Sequence, residues 1–242
     1  MKRLNIKIIT LFPKFVEDFV ENFGIVKRAI KLKLLKLEAI NLRAFGSGER
    51  QTVDDRPYGG GVGMVLKADV LYKAIIRAKG KGLRAKVILL TPQGKKFDQA
   101  MAKKLSKVDN LIFVCGRYEG FDERIRKFAD EEISIGDYVL MGGELPALVI
   151  SEAVMRLMPG ILGKDESTKQ ESFSESKLEY PQYTKPEKWI IRAKGKGLRA
   201  KTLKVPKVLL SGHHKKIEEF RNMESKKRTK KRRPDLLIKH GA

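Results

Sequence analysis

A chain of 242 residues with 42% hydrophobic content can bury a real core as one large domain or two modest ones. A formal net charge of +23 calls for a polyanionic partner, and no apolar run reaches the span of a bilayer, so nucleic acid is favoured over a membrane surface. The single cysteine, Cys115, excludes an internal disulfide and, with only three histidines, leaves a structural zinc site without ligands. Both facts, with an N-terminus that lacks a signal-peptide pattern, lead us to expect a cytoplasmic protein.

In chain order, a buried strand is expected from Asn5 to Leu11. A helix should follow at Pro13 with Phe15, Phe19 and Val20 on one face, then a second helical stripe of Ile25, Ala29 and Ile30. Alternation from Leu34 to Leu42 predicts another strand. The stretch from Arg43 to Val65 is too long for an idle connection, and loops of that kind in a compact domain are functional or disordered. Its Gly59, Gly60, Gly61 and Gly63, after Pro57-Tyr58, allow a backbone that wraps a ligand, although the Lys-Ser/Thr of a Walker loop is missing.

Helices are then expected over Ala68 to Ala78, Phe97 to Leu105 and Asp122 to Phe128, with strands over Lys86 to Leu90, Asn110 to Cys115 and Glu132 to Ile135. Strands separated by helices predict an α/β fold with a parallel sheet and helices on both faces, in which ligands sit at the carboxyl ends of the strands. Three segments follow such ends: Thr91-Pro92-Gln93-Gly94, Cys115-Gly116-Arg117-Tyr118-Glu119-Gly120, and the loop that starts at Gly136. They should share one rim. The Gly-x-Gly-x-x-Gly fingerprint follows none of the strands, so a standard Rossmann cofactor mode is not supported.

The run from Ile133 to Leu145 reads as strand, tight backbone excursion and the start of a buried helix that continues to Met158. Gly136, Gly142 and Gly143 leave main-chain groups open to close approach, which suits either a ligand held by backbone or a plain turn between core elements. Beyond Pro159-Gly160 the stretch from Ile161 to Pro186 is polar and reads as a linker or lid. After Val205-Pro206, Ser211 or Gly212 is placed to cap a helix that uses Ile217 and Phe220, and the basic run from Lys226 to Arg233 suits phosphate contact. One oddity stands apart: Ile75 to Lys86 recurs residue for residue as Ile190 to Lys201. The first copy is expected to close a helix, turn at Gly80 and Gly82 and enter a strand; the second has no strand-like sequence after it.

Val53-Asp54-Asp55-Arg56-Pro57-Tyr58-Gly59-Gly60-Gly61, Thr91 to Gly94, Cys115 to Gly120, Ile133 to Glu144, Pro181-Gln182-Tyr183-Thr184-Lys185-Pro186 and Leu209 to His214 together resemble the bacterial tRNA (guanine-N1)-methyltransferase family, which modifies guanosine 37. The resemblance runs from about Asn5 to Leu237. It implies a SPOUT-type parallel sheet with a deep trefoil knot over residues 1–160, a linker or lid over 161–178, and a small, mainly helical, basic tRNA-binding domain over 179–242. It also implies S-adenosylmethionine as methyl donor, tRNA as substrate, and a homodimer with sites shared between chains. Magnesium dependence is implied as well, but no ligand cluster in the sequence places the ion. By the same resemblance the cofactor pocket would be lined by Leu89, Leu90, Thr91, Pro92, Gly116, Glu119, Ile135, Gly136, Asp137, Tyr138, Val139, Leu140, Gly142 and Gly143.

Guanine N1 carries a proton, so the reaction needs a carboxylate base at N1 and a donor for the charge that builds on O6. Arg156 matches the family's O6-stabilising arginine, and Glu171 stands where the family carries an aspartate base. The extra methylene moves the carboxylate by roughly one ångström, a displacement that can cost about a hundredfold in rate. The repeated dodecapeptide is the second departure: removing Ile190 to Lys201 restores the family's short connection, so 190–201 reads as an insertion that adds Arg192, Lys194, Lys196, Arg199 and Lys201. Two other classes also fit: an RNA-binding protein of this fold without turnover, and a methyltransferase of the same class for another RNA site.

Overall fold

The computed structural model describes residues 3–80, 82, 84–162, 171–173, 176–191 and 201–238. The chain divides into two compact units, Met1–Asp165 and Glu166–Ala242.

In the first unit five strands form one sheet: β1 (Leu4–Thr10), β2 (Leu35–Asn41), β5 (Lys86–Lys96), β6 (Asn110–Cys115) and β7 (Glu131–Ser134), in the order β2-β1-β6-β5-β7. Every pairing is parallel. Successive residues serve opposite cores, as a two-residue period demands. Leu4, Ile6 and Ile8 of β1, Ile88 and Leu90 of β5, and Leu111, Phe113 and Cys115 of β6 enter one apolar cluster, whereas Ile9, Val87, Leu89, Ile112 and Val114 enter the other. The first cluster is closed by α1 (Pro13–Asn22), α2 (Gly24–Lys31) and α5 (Glu144–Met155), the second by α3 (Ala68–Lys79). Helix α4 (Gln99–Leu105) is capped by Asp98, whose carboxylate accepts from Met101 N at 2.8 Å.

Several expectations need correction. On α1 Phe19 and Val20 pack against the core as expected, but the residue fully driven into it is Val16, and Phe15 remains 44% exposed. Helix α5 is not buried all round: Leu145 and Val149 are 52% and 46% exposed, beside Phe15, Phe19 and Phe23. Asp122 caps a 3₁₀ helix, Glu123–Phe128, rather than an α-helix. The stretch from Arg43 to Val65 holds the end of a 3₁₀ turn, Leu42–Phe45, and a short antiparallel ladder of β3 (Asp54–Asp55) with β4 (Val65–Leu66).

In the second unit β8 (Lys188–Ile191) pairs antiparallel with β9 (Lys201–Lys204), so a strand does follow the second dodecapeptide. The helix expected here is α6 (His214–Arg232), but Ser211 ends the preceding 3₁₀ turn, Lys207–Leu210, and His213 occupies the N-cap. Ser225 and Thr229, more than Ile217 or Phe220, are its buried residues; Ser225 Oγ donates to Leu178 O at 2.6 Å, and Leu178 N donates to Thr229 Oγ1 at 2.9 Å. A short helix, α7 (Asp235–Ile238), follows. Parts of the expected lid, 163–170 with 174 and 175, and the inserted cations Arg192, Lys194, Lys196 and Arg199 lie outside the described residues.

Candidate active site

The chain steps from β5 to β6 on one side and then returns past β5 to β7, which makes a switch point where the ends of β6, β5 and β7 meet. Such a point opens a crevice for ligands. A cavity of about 280 Å³ lies there.

Its first wall comes from an irregularity in β5. Ile133 of β7 is the partner both of Leu90 and of Lys95, so Thr91 to Gly94 leave the ladder and return to it. Gly94 makes this possible, because a Cβ there would meet the backbone of Glu132 and Ile133. Arg126 holds the detour from outside: Nη2 donates to Gln93 Oε1 at 2.6 Å, and Nη1 pairs with Glu132.

The second wall follows β6. Gly143 N donates to Gly116 O at 2.9 Å, and Arg117 bridges to Gly142, so the chain that left β7 crosses back over the end of β6. A methyl group on Gly143 would sit 2.6 Å from Cys115 Cα, and one on Gly136 would overlap the Tyr138 ring. Side chains cannot enter at these points. Ser134 Oγ donates to Gly136 O at 2.9 Å and fixes the first turn of the loop.

Beneath this wall sits a charge that sequence reading missed. Glu144, at the first turn of α5, is 3% exposed. Thr10 Oγ1 donates to its Oε1 at 2.7 Å, and Arg117 reaches its Oε2 through Nε at 3.1 Å and Nη2 at 3.0 Å. The Arg117 guanidinium also lies 4.3 Å from the centre of the Phe12 ring. Three segments distant in sequence, the end of β1, the rim after β6 and the start of α5, are thereby tied at one buried ion pair. The only local signal was an acid between Gly143 and a run of apolar residues. Burial first, and the Glu144 charge second, push the Cys115 thiol well above its ordinary value, so it is neutral packing rather than a nucleophile.

The glycine-rich loop reaches the same rim. Glu119 N donates to Met64 O at 3.0 Å, and Leu66 N donates to Gly120 O at 3.0 Å. Gly63 lies against the Glu119 side chain, where a Cβ would not fit. Tyr58 and Val62 stand fully in solvent. Tyr118, at φ 57°, has its hydroxyl pushed above the usual phenol value by burial and by the Asp54 carboxylate.

Of the residues expected to hold a cofactor, Leu90, Thr91, Pro92, Gly116, Glu119 and Ile135 line this cavity. So do Gly136, Tyr138, Val139, Leu140, Gly142 and Gly143, with Gln93 of the expected rim, joined by Ser134 and Pro146, which were not expected to hold the cofactor. Leu89 and Asp137 stand apart. Leu89 is fully buried in the core on the α3 side, because its neighbour Leu90 takes the cavity side, and Asp137 is exposed with its carboxylate 2.8 Å from Lys96 Nζ. Arg156 is the C-cap of α5, its N donating to Glu152 O at 3.1 Å. Glu171 opens a turn in the second unit and is partly exposed. Among the described residues no cluster of three His, Cys, Asp or Glu side chains is arranged to hold a metal ion. No helix among them is long and apolar enough to cross a membrane.

The family model described as tRNA (guanine-1)-methyltransferase TrmD matches residues 4–239. The tRNA (guanine-N(1)-)-methyltransferase of Sulfurihydrogenibium sp. strain YO3AOP1 is 48% identical over 98% of this chain and 88% of its own. That of Bacillus subtilis strain 168 is 46% identical over 98% and 93%, and that of Thermus thermophilus 45% identical over 96% and 91%. At such identity over nearly the whole of both sequences, the chain belongs to the tRNA (guanine-1)-methyltransferase family.

Proposed function

We propose that this protein transfers a methyl group from S-adenosylmethionine to N1 of guanosine 37 in tRNA. The observation that carries the reading is the cavity at the ends of β5, β6 and β7, whose walls are main chain where glycines admit it and apolar side chains elsewhere. That donor set fits a nucleoside-containing cofactor: Leu90, Pro92, Ile135 and Leu140 offer faces for an adenine, and the backbone of the loop from Gly136 to Gly143 offers hydrogen bonds to its edge. S-adenosylmethionine supplies an electrophilic methyl on its sulfonium. The protein's share is alignment and proton handling. Glu171 takes the N1 proton, and Arg156 stabilises the charge on O6.

The fold proposed around this chemistry is the SPOUT knot. Its support is the path described above, in which the chain returns over the end of β6 and then buries α5 against β1 and β6. We assign 1–160 to the knotted domain, 161–178 to a linker or lid and 179–242 to a basic tRNA-binding domain; the cations of α6 supply the last with phosphate contacts. A homodimer is supported by the contiguous apolar surface that Phe15, Phe19, Phe23, Leu145 and Val149 form around the buried Leu148. The buried Cys115 thiol suits a cytoplasmic setting.

Single-turnover transfer from labelled S-adenosylmethionine to unmodified guanosine 37 tRNA, with an adenosine 37 tRNA as control, tests the reading. N1-methylguanosine is expected from the first alone. Arg156→Ala should lower the rate at least about a hundredfold with cofactor affinity nearly unchanged. Glu171→Asp should raise the rate if the extra methylene displaces the base, and Glu171→Gln should abolish transfer. Cofactor binding without any product would leave an RNA-binding protein of this fold.

A further inference from the structure

The second dodecapeptide has no part in that chemistry. In its first copy Ile75 and Ile76 lie in α3; in the second the same pair, Ile190 and Ile191, lies in β8. The ribbon pairs Lys188 with Lys204, Trp189 with Leu203, Ile190 with Thr202 and Ile191 with Lys201. Directly opposed residues share a face. Trp189, Leu203, Ile191 and Lys201 therefore form one side, and Lys188, Lys204, Ile190 and Thr202 the other. All eight residues are exposed, Trp189 by 58% and Ile190 by 59%. A two-stranded ribbon with neither face covered is marginal in water, so this one needs an occupant.

We propose that the β8–β9 ribbon is an RNA-binding arm, with Lys188, Lys201 and Lys204 at phosphates and Trp189 stacked on an unpaired base of the tRNA substrate. Charge selects the occupant. The two strands carry three cations and no acid, and among the described residues no ion pair engages those lysines. A second copy of this ribbon would set lysine against lysine, whereas RNA neutralises them. Trp189 shares its face with Lys201, and an exposed indole beside a cation is a platform on which bases stack without sequence preference. The inference rests on the methyl-transfer reading only for its choice of tRNA.

Trp189 is the chain's one tryptophan, so its emission reports this ribbon directly. Titration of the full chain with unmodified guanosine 37 tRNA should quench it saturably. Trp189→Ala should weaken binding about tenfold, and Trp189→Phe should keep most of it. Replacing Lys188, Lys201 and Lys204 together by Gln should lower the slope of log affinity against log salt by about 2 to 3. Saturable tRNA binding with unaltered emission, or an unaltered salt slope in the triple variant, overturns the inference. Emission that follows protein concentration instead of RNA assigns the ribbon to a second copy and overturns it too. Quenching without methyl transfer would sustain the arm while the proposed reaction fell; methyl transfer with silent emission would do the reverse.

Discussion

Glu144 shows what a single buried charge does here. Glu144→Ala would leave the Arg117 guanidinium and the Thr10 hydroxyl without their shared acceptor. Loss of one partner from such a pair costs about 3–5 kcal/mol, so urea unfolding should show a large drop in midpoint with little change in slope. Arg126→Ala should act differently. It frees Gln93 and the detour after Leu90, and cofactor affinity should fall by about tenfold, read by titration calorimetry, because a hydrogen bond to a charged group contributes about 1.5 kcal/mol. Glu131 provides the pH dependence. Burial pushes its carboxyl up, but Lys86, 2.7 Å away, and Lys104 outweigh this and hold it below the usual value. A depressed folded value means stability that is present above the unfolded value and lost as pH falls through the folded one. Glu131→Gln should therefore be less stable near neutrality and converge with the parent in acid, as urea midpoints measured across that pH range would show. None of these three pairings was legible in the sequence, since each joins residues brought together only by the sheet order. Gly136, Gly142 and Gly143 and the Thr91 to Gly94 and Cys115 to Gly120 segments were legible, because their chemistry is local.

Among the elements, strands with clear alternation were read well, and β6 falls where its pattern put it. Helix faces were read less well. On α1 the pattern of Phe15, Phe19 and Val20 suggested a core stripe; Phe19 and Val20 do pack on the core beside the buried Val16, but Phe15 joined an exposed patch with Leu145 and Val149. Apolarity states that a residue seeks cover without naming what covers it. With the dimer proposed above, Val149→Glu should shift the protein to monomer in sedimentation velocity, while a charge at exposed Ile76 should not. The dodecapeptide makes the same point more sharply. Ile75 is carried into the core by Ala74 and Ala78 on α3, whereas Ile190 follows Lys188 and Trp189 and pairs across a ribbon. Tertiary surroundings override local preference in identical sequences. Deleting 190–201 joins Trp189 directly to Thr202 and abolishes the ribbon, since one residue cannot turn an antiparallel pair, yet the thermal midpoint of the first unit is expected to stay within about 2 °C by calorimetry.

At the scale of the molecule, alternating strands and helices dictated a parallel sheet, and the three rim segments did converge on one cavity. The order β2-β1-β6-β5-β7 was beyond reach, because periodicity fixes which face a residue serves and says nothing of which neighbour a strand takes. Knowing that order explains why the pocket has firm walls. Ile133 closes the Thr91 to Gly94 detour at both of its ends, and Gly143 is pinned to Gly116 across the way. A ligand arriving there meets a seat already shaped, and little of its binding energy is diverted into ordering the protein. Stopped-flow association should accordingly be single-phase and linear in ligand concentration, with no slow step of rearrangement, and the amides of Phe97 and Gly143, bonded to Ser134 O and Gly116 O, should exchange with deuterium nearly as slowly before the ligand is added as after.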